Sequence, residues 1–154
     1  MIQFEKINID KHRDYVIQFR KDSFVISFGN DSNFDEGDYL RWLEEKIVEY
    51  PEGFVIVREG DQYIGQLELS IRNYENKSIG YVHLYYLIPE KRGKGKGQNL
   101  HDYVKQFFKS HNIQEFHLRV SPTNTIAMRF YHKMGIKVMG PELGGKVIRM
   151  KGYY

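Results

Sequence analysis

The sequence predicts a mixed α/β domain, a central mixed sheet of about six to seven strands with helices on both faces. Three observations carry that expectation. The stretch Ile79 to Ile88 is apolar on both alternating faces, as a central strand covered on both sides must be. It feeds a glycine-rich basic loop, an amphipathic helix and a further strand, Phe116–Val120, and a strand–helix–strand unit implies parallel pairing through a right-handed crossover. Before and after that unit lie shorter period-2 segments separated by turn residues, the pattern of antiparallel neighbours. At 154 residues one domain, 1–154, is expected, long enough to bury a sizeable core.

Taken in order, residues 2–7 alternate as a short first strand, and Asp10 is placed to cap a helix from Lys11 to about Phe24 with Tyr15, Val16 and Phe19 on its stripe. Gly29-Asn30-Asp31-Ser32-Asn33 breaks the pattern. A second helix runs from about Glu36 to Tyr50, with Tyr39, Leu40, Leu43 and Ile47 on one face and Pro51 beyond its end. Residues 53–58 and 63–72 form a hairpin about Gly60-Asp61; in the second strand Leu67, Leu69 and Ile71 oppose Gln66, Glu68, Ser70 and Arg72. Strict alternation over 79–88 places Tyr81, His83, Tyr85 and Leu87 on one face. The helix after the basic loop carries Leu100, Tyr103, Val104, Phe107 and Phe108 at helical spacing. A last helix carries Ala127, Phe130, Tyr131 and Met134 and stops at Gly135, a suitable C′ residue. Residues 136–139 and 146–151 close the chain as two short strands around Gly144-Gly145.

Composition narrows the function classes. There is no cysteine, which excludes disulfides, a thiol nucleophile and cysteine metal sites. The six histidines show no metal-ligand spacing, so no metal is expected. No apolar run approaches the roughly 20 residues of a membrane span, and no apolar segment follows the first charged residues as in a signal peptide, so a cytoplasmic location is the default expectation. The net charge of +3 is mild for a nucleic-acid binder. Its excess is expected in the loop Lys91-Arg92-Gly93-Lys94-Gly95-Lys96-Gly97-Gln98, matched to a compact polyphosphate.

That loop leads straight into a helix N-terminus, where unpaired backbone N–H groups and the helix dipole attract anions. Glycines let the backbone approach a phosphate closely. The run is neither G-x-x-x-x-G-K-[ST] nor G-x-G-x-x-G. It reads Arg92-x-x-Gly95-x-Gly97, which resembles the [QR]-x-x-G-x-[GA] pyrophosphate loop of the GNAT-type N-acetyltransferases. A second stretch, Asn124-x-x-Ala127-x-x-Phe130-Tyr131-x-Lys133-x-Gly135, is similar to that family's N-x-x-A-x-x-[FL]-Y-x-[KR]-x-G signature. The element order resembles the GNAT order over nearly the whole chain.

The resemblance implies acetyl-CoA as acyl donor. It implies that Arg92, Gly93, Lys94, Gly95, Lys96, Gly97 and Gln98 hold the pyrophosphate, that the backbone of Leu87 and Ile88 pairs with the pantetheine amides, and that Asn124 bonds the pantetheine arm. Tyr131 would protonate the departing thiolate; a buried core tyrosine is the competing reading of its spacing. The family's frequent glutamate on the central strand has no counterpart between Ile79 and Ile88. His83 and Glu68 are the substitutes as general base, against a hydrogen-bonded core histidine and a solvated strand residue. A non-catalytic acyl-CoA-binding module with the same fold is the alternative function. The expected acceptor is a small-molecule or peptide amine, with no nucleic acid and no membrane, and a homodimer is compatible with the family. Aromatic residues (Phe28, Phe34, Tyr39, Trp42) and acids (Asp31, Asp35, Glu36, Asp38) within 24–42 would suit a cationic amine such as a polyamine, aminoglycoside or peptide N-terminus; a solvated loop fits them equally.

Overall fold

A computed structural model describes residues 1–153. The chain forms β1 (Ile2–Lys6), α1 (Ile9–Phe28), α2 (Glu36–Glu49), β2 (Phe54–Glu59), β3 (Gln62–Tyr74), β4 (Lys77–Leu87), α3 (Lys96–Ser110), β5 (Glu115–Val120), α4 (Thr125–Lys133), β6 (Lys137–Glu142) and β7 (Val147–Tyr153). This is the element order the sequence predicts. The seven strands lie in the order β1-β2-β3-β4-β5-β7-β6. Every pairing is antiparallel except β4–β5, the crossover pair around α3. No helix among the described residues is long and apolar enough to cross a membrane.

Helix α1 begins earlier and ends later than its apolar stripe suggests. Asn8, not Asp10, is its cap: the Asn8 side chain accepts the Lys11 N–H at 3.1 Å. Asp10 sits in the first turn, where a carboxylate favours the positive end of the dipole. The helix stops at Gly29, whose φ of 82° only glycine adopts freely.

Two layers of side chains hold the sheet. Val16 and Phe19 of α1 and Leu40 and Leu43 of α2 pack on Phe54, Ile56, Leu84 and Tyr86. On the other face Leu100, Val104, Phe107 and Phe108 of α3 pack on Val55, Leu67, Leu69, Val82, Phe116 and Leu118, with Tyr131 of α4 at the margin. Gly80 lets Phe108 lie flat on β4.

The expected alternation of β4 is broken in the middle. Leu69 pairs with Val82 and Glu68 with Leu84, leaving His83 as an extra residue. A bulge of this kind turns consecutive side chains to one side and bends the strand. His83 contacts Trp42 of α2 at 5.1 Å between rings, on the same side as Leu84 and Tyr86, whereas Tyr85 and Leu87 join the α3 face. His83, Tyr85 and Leu87 therefore do not share a face, and spacing alone carries no mark of the inserted rung.

A Cβ at position 80 would lie 2.6 Å from the Phe108 ring. Gly80→Ala is expected to destabilise the domain by about 1–3 kcal/mol through overpacking, read as a shift of the denaturant midpoint at constant m-value.

Candidate active site

The parallel pair β4–β5 is short. It holds only over Gly80–Val82 against Phe116–Leu118, and beyond the bulge the two strands part. The gap is a cavity of about 440 Å³ floored by Val82 to Leu87 and walled by Leu118, Arg119 and Val120, the glycine loop, α4 residues and Ser23, Ile26 and Ser27 of α1. Of the expected residues it gathers His83, Leu87, Arg92, Gly93, Gly95, Gly97, Gln98, Asn124 and Tyr131 into one lining. Ile88, Lys94, Lys96 and Glu68 lie outside it.

Backbone direction separates Leu87 from Ile88. The Ile88 N–H donates to the Ile64 carbonyl at 2.8 Å, so it belongs to the β3 ladder. Strand alternation then turns the Leu87 backbone toward the gap. There its carbonyl accepts from Arg92 Nε at 2.8 Å, which leaves its N–H as the group facing the cavity.

The loop is built as a cradle, but not by its cations. Gly93 and Gly95 hold φ of 72° and 81°, with nothing within 4 Å of a Cβ at either position. Gly95 caps α3 with no side-chain hydrogen bond; its carbonyl accepts the Gln98 N–H at 3.3 Å, and the N–H groups of Lys96 and Gly97 before it have no side-chain cap. Gly97 is needed for a different reason: a Cβ there would meet the Phe130 ring at 2.6 Å, so it sets the approach of α3 to α4. Lys91 and Lys96 both fold back onto Glu59 of β2, Lys91 at 2.8 Å, and their hydrogen bonds hold the Glu59 carboxyl down at about 2. Arg92 lies 3.5 Å from Asp22 of α1 and over the Tyr86 ring. Lys94 alone of the four has no ion pair among the described residues. Two acids thus face the four cations, so about half of the expected positive charge is offset. Both neutralising acids are remote in sequence, which is why local composition does not show them.

Helix α4 supplies the far wall. Asn124 is its cap, its side-chain carbonyl accepting the Ala127 N–H at 3.2 Å, so only its amide NH₂ is left for the cavity. Tyr131 is 8% exposed and packs edge-on to Tyr85 of β4 at 6.0 Å. Burial pushes the Tyr131 phenol well up, so it is a proton donor throughout the physiological range. Tyr85 was not singled out by sequence. Its hydroxyl points to the Gly97 carbonyl at 3.4 Å, and burial, with Tyr131 beside it, raises its pKa too. The only signal for it is membership of the apolar run 79–88.

The two residues expected as base sit in different surroundings. Glu68 is fully buried: its Oε2 accepts from Tyr39 Oη at 2.5 Å and Gln66 Nε2 at 2.8 Å, and its Oε1 lies 3.2 Å from Arg20 Nη1. It anchors α1 and α2 to the sheet and is not a solvated strand residue. His83 lines the cavity, with Nε2 2.6 Å from Ser70 Oγ. Burial lowers its pKa to about 3, with the charges of Arg72, Arg20 and Lys46 adding to the effect. A ring that refuses a proton at neutral pH is a poor acceptor for one from an ammonium.

Three of the four acids expected to face a cationic acceptor are engaged elsewhere, and Asp31 does not line the cavity. Asp35 caps α2, Glu36 lies 3.7 Å from Arg13, and Asp38 pairs with Arg41. None of them lines the cavity. Of the aromatics, Phe34, Tyr39 and Trp42 touch in succession up to His83, and Phe28 joins them only through Phe24; none of these Phe, Tyr and Trp rings lines the cavity.

A mixed sheet that parts at its one parallel pair, beside an uncapped glycine loop and a buried tyrosine, defines the architecture of an acyltransferase. The model of the acetyltransferase (GNAT) family matches residues 14–136. An uncharacterized N-acetyltransferase of Archaeoglobus fulgidus is 26% identical over 114 residues, covering 72% of this chain and 74% of that protein. The crystal structure of PH1933 from Pyrococcus horikoshii OT3 superposes with a TM-score of 0.77 at 22% identity, over 100% of this chain and 99% of that one. That of the PaiA N-acetyltransferase from Thermoplasma acidophilum, in complex with coenzyme A, superposes with a TM-score of 0.73 at 23% identity, again over 100% and 99%. The chain belongs to the GNAT acetyltransferase family, as an N-acetyltransferase.

His83 also sets a pH dependence of stability. Its folded pKa of about 3 lies below the ordinary 6.5, so the unfolded chain binds the extra proton first as pH falls. Stability is expected to decline between about pH 6.5 and 3 on this account. In His83→Gln the difference in thermal midpoint between pH 7 and pH 5 should shrink.

Proposed function

We propose that this chain transfers the acetyl group of acetyl-CoA to a primary amine of a small molecule or peptide, by direct attack on the thioester. One observation carries the reading: the cavity where β4 leaves β5 is lined both by the glycine loop that enters α3 and by Tyr131 of α4. The residues fit such a donor. Backbone N–H groups of Gly93 to Gln98 would take the pyrophosphate, with Lys94 as the free cation. The Leu87 N–H and the Asn124 amide would take the carbonyls of the arm.

The amine nitrogen attacks the thioester carbonyl carbon; the N–C bond forms and the C–S bond breaks. Tyr131 gives its phenolic proton to the departing sulfur. The proton lost by the nitrogen restores the phenol through water in the cavity, so no net proton is gained or lost by the protein. With His83 neutral and Glu68 sealed, the acceptor enters as its neutral fraction. The rate should then climb with pH toward the pKa of the amine, with no inflection near that of an ordinary histidine.

Calorimetric titration with acetyl-CoA, followed by thiol release in the presence of amines, tests the reading. One-to-one binding at micromolar concentration is expected; no binding up to millimolar overturns it. Tyr131→Phe should lower kcat by roughly 10²-fold or more, in the range of general-acid contributions, with acetyl-CoA affinity nearly unchanged. Equal kcat removes Tyr131 from the proton transfer. Gly95→Asp places a carboxylate at a φ of 81° in the cradle and should weaken acetyl-CoA binding strongly, read by the same titration.

A further inference from the structure

We propose that the acceptor amine carries a carboxylate, bound by a run of three arginines, Arg72, Arg149 and Arg119, on the open face of the sheet beside the cavity. This rests on the acetyl-transfer reading and names the substrate class for it.

The buried cluster beneath α1 and α2 takes no residue from β5, β6 or β7. On that side the second half of the sheet is roofed by polar side chains instead. Arg72 of β3 and Arg149 of β7 lie over the same ring, their guanidinium carbons 4.2 and 5.8 Å from the Tyr81 centroid. Arg149 and Arg119 then share one carboxylate, Glu142, each through Nε at 2.9 Å. The three arginines thus form a continuous row containing a single acid. Burial alone would raise the Glu142 pKa, but the hydrogen bonds from Arg149 and Arg119 together hold it down, so that acid is spent.

His117 adds no compensating charge. Arg149 Nη1 donates to its Nδ1 at 2.9 Å; a guanidinium cannot accept, so the ring proton is on Nε2, shared with Glu115. Burial keeps the ring neutral despite Glu115. Glu115 itself is also paired with Lys77. Lys151 faces the same way, opposite His117 in register, with Lys137 opposite it.

Glu142 and the Tyr74 ring, 4.5 Å away, compensate the buried Arg149, but one carboxylate among three guanidiniums leaves the row positive, and a further anion would be favoured there. The donors for it remain open. Among the described residues Arg72 makes no hydrogen bond, Arg119 uses only Nε, and Arg149 leaves Nη2 free. The row also reaches the chemistry. Arg119 lines the cavity, and Arg72 is the first of the charges that depress His83 in the same lining. An amine at the parting of the strands would place its own carboxylate on this row.

The test measures thiol release with saturating acetyl-CoA and matched acceptors: alanine against alaninamide, 4-aminobutyrate against butylamine, and Asp-Ala-Ala-Ala-amide against Asn-Ala-Ala-Ala-amide, with spermidine as a cationic control. The carboxylate member of at least one pair should win by about tenfold or more in kcat/KM, as charge-assisted pairing implies. The winning pair distinguishes a free amino acid from an acidic peptide terminus. Arg72→Gln and Arg119→Gln should erase that preference through KM, and Arg72→Gln, outside the cavity lining, should leave the Kd for acetyl-CoA unchanged. Preference for the amides or spermidine, or a preference that survives both substitutions, overturns the proposal. If acetyl-CoA binds but no amine reacts, the same acids are titrated calorimetrically into coenzyme A-loaded protein: binding lost in the variants supports it, and no binding overturns it. Failure of acetyl-CoA to bind at all sinks the transfer reading instead, and titration of the acids into the free protein still decides this one.

Discussion

The parting of β4 from β5 is the constraint on which the rest of the molecule depends. Two strands joined by three registered pairs and then driven apart expose backbone groups that would otherwise be spent in a ladder. The bulge at His83 sits at the point of divergence and supplies the bend. It also exchanges the faces of the strand, so that Leu84 and Tyr86 fill the α1/α2 layer while Tyr85 and Leu87 turn to α3 and the cavity. A β4 of unbroken alternation would pack one layer wrongly at one end or the other. One inserted residue therefore shapes the gap and both cores at once.

Electrostatics follows from tertiary placement more than from local composition. The basic loop reads as a strong cationic patch until Glu59 and Asp22 are brought beside it by β2 and α1. What remains at the loop is Lys94 together with backbone polarity, which is fixed in direction and costs no side-chain entropy to present. Further positive charge lies on β3, β5 and β7, on residues scattered through the chain from Arg72 to Lys151. No window of sequence contains that row, because it exists only once β7 is inserted between β5 and β6.

Element types, their order and the helical stripes were legible because each is a local periodicity. The glycine loop and the Asn124–Gly135 stretch were legible because their residues are contiguous and chemically distinctive. What stayed hidden is everything that needs a partner from elsewhere. Asn8 rather than Asp10 caps α1 because the cap is decided by which side chain reaches the Lys11 N–H. Glu68, on a strand whose alternate positions are polar, looks solvated until α1 and α2 close over it. Gly97 belongs to the pyrophosphate motif by position, yet its lack of a side chain also answers to Phe130 of a later helix.

The buried polar network around Glu68 ties these levels together. Arg20 Nη1 donates to the His83 carbonyl at 3.2 Å while standing 3.2 Å from Glu68 Oε1, so one guanidinium joins α1, β3 and the bulge of β4. Its guanidinium carbon lies over the Tyr39 and Trp42 rings, at 5.4 and 5.9 Å. A buried ion pair of this kind adds little net stability, because desolvation consumes most of the Coulombic gain. Its effect is on geometry: a carbonyl freed from the ladder by the bulge would be costly if left unpaired, and Arg20 satisfies it at the one position compatible with Glu68. Burial and the surrounding cations in turn keep His83 neutral at the point where the strands part. The bulge beside the cavity is thereby held by the same side chain that packs on Tyr39 and Trp42, so one guanidinium ties the bend of β4 to both α1 and α2.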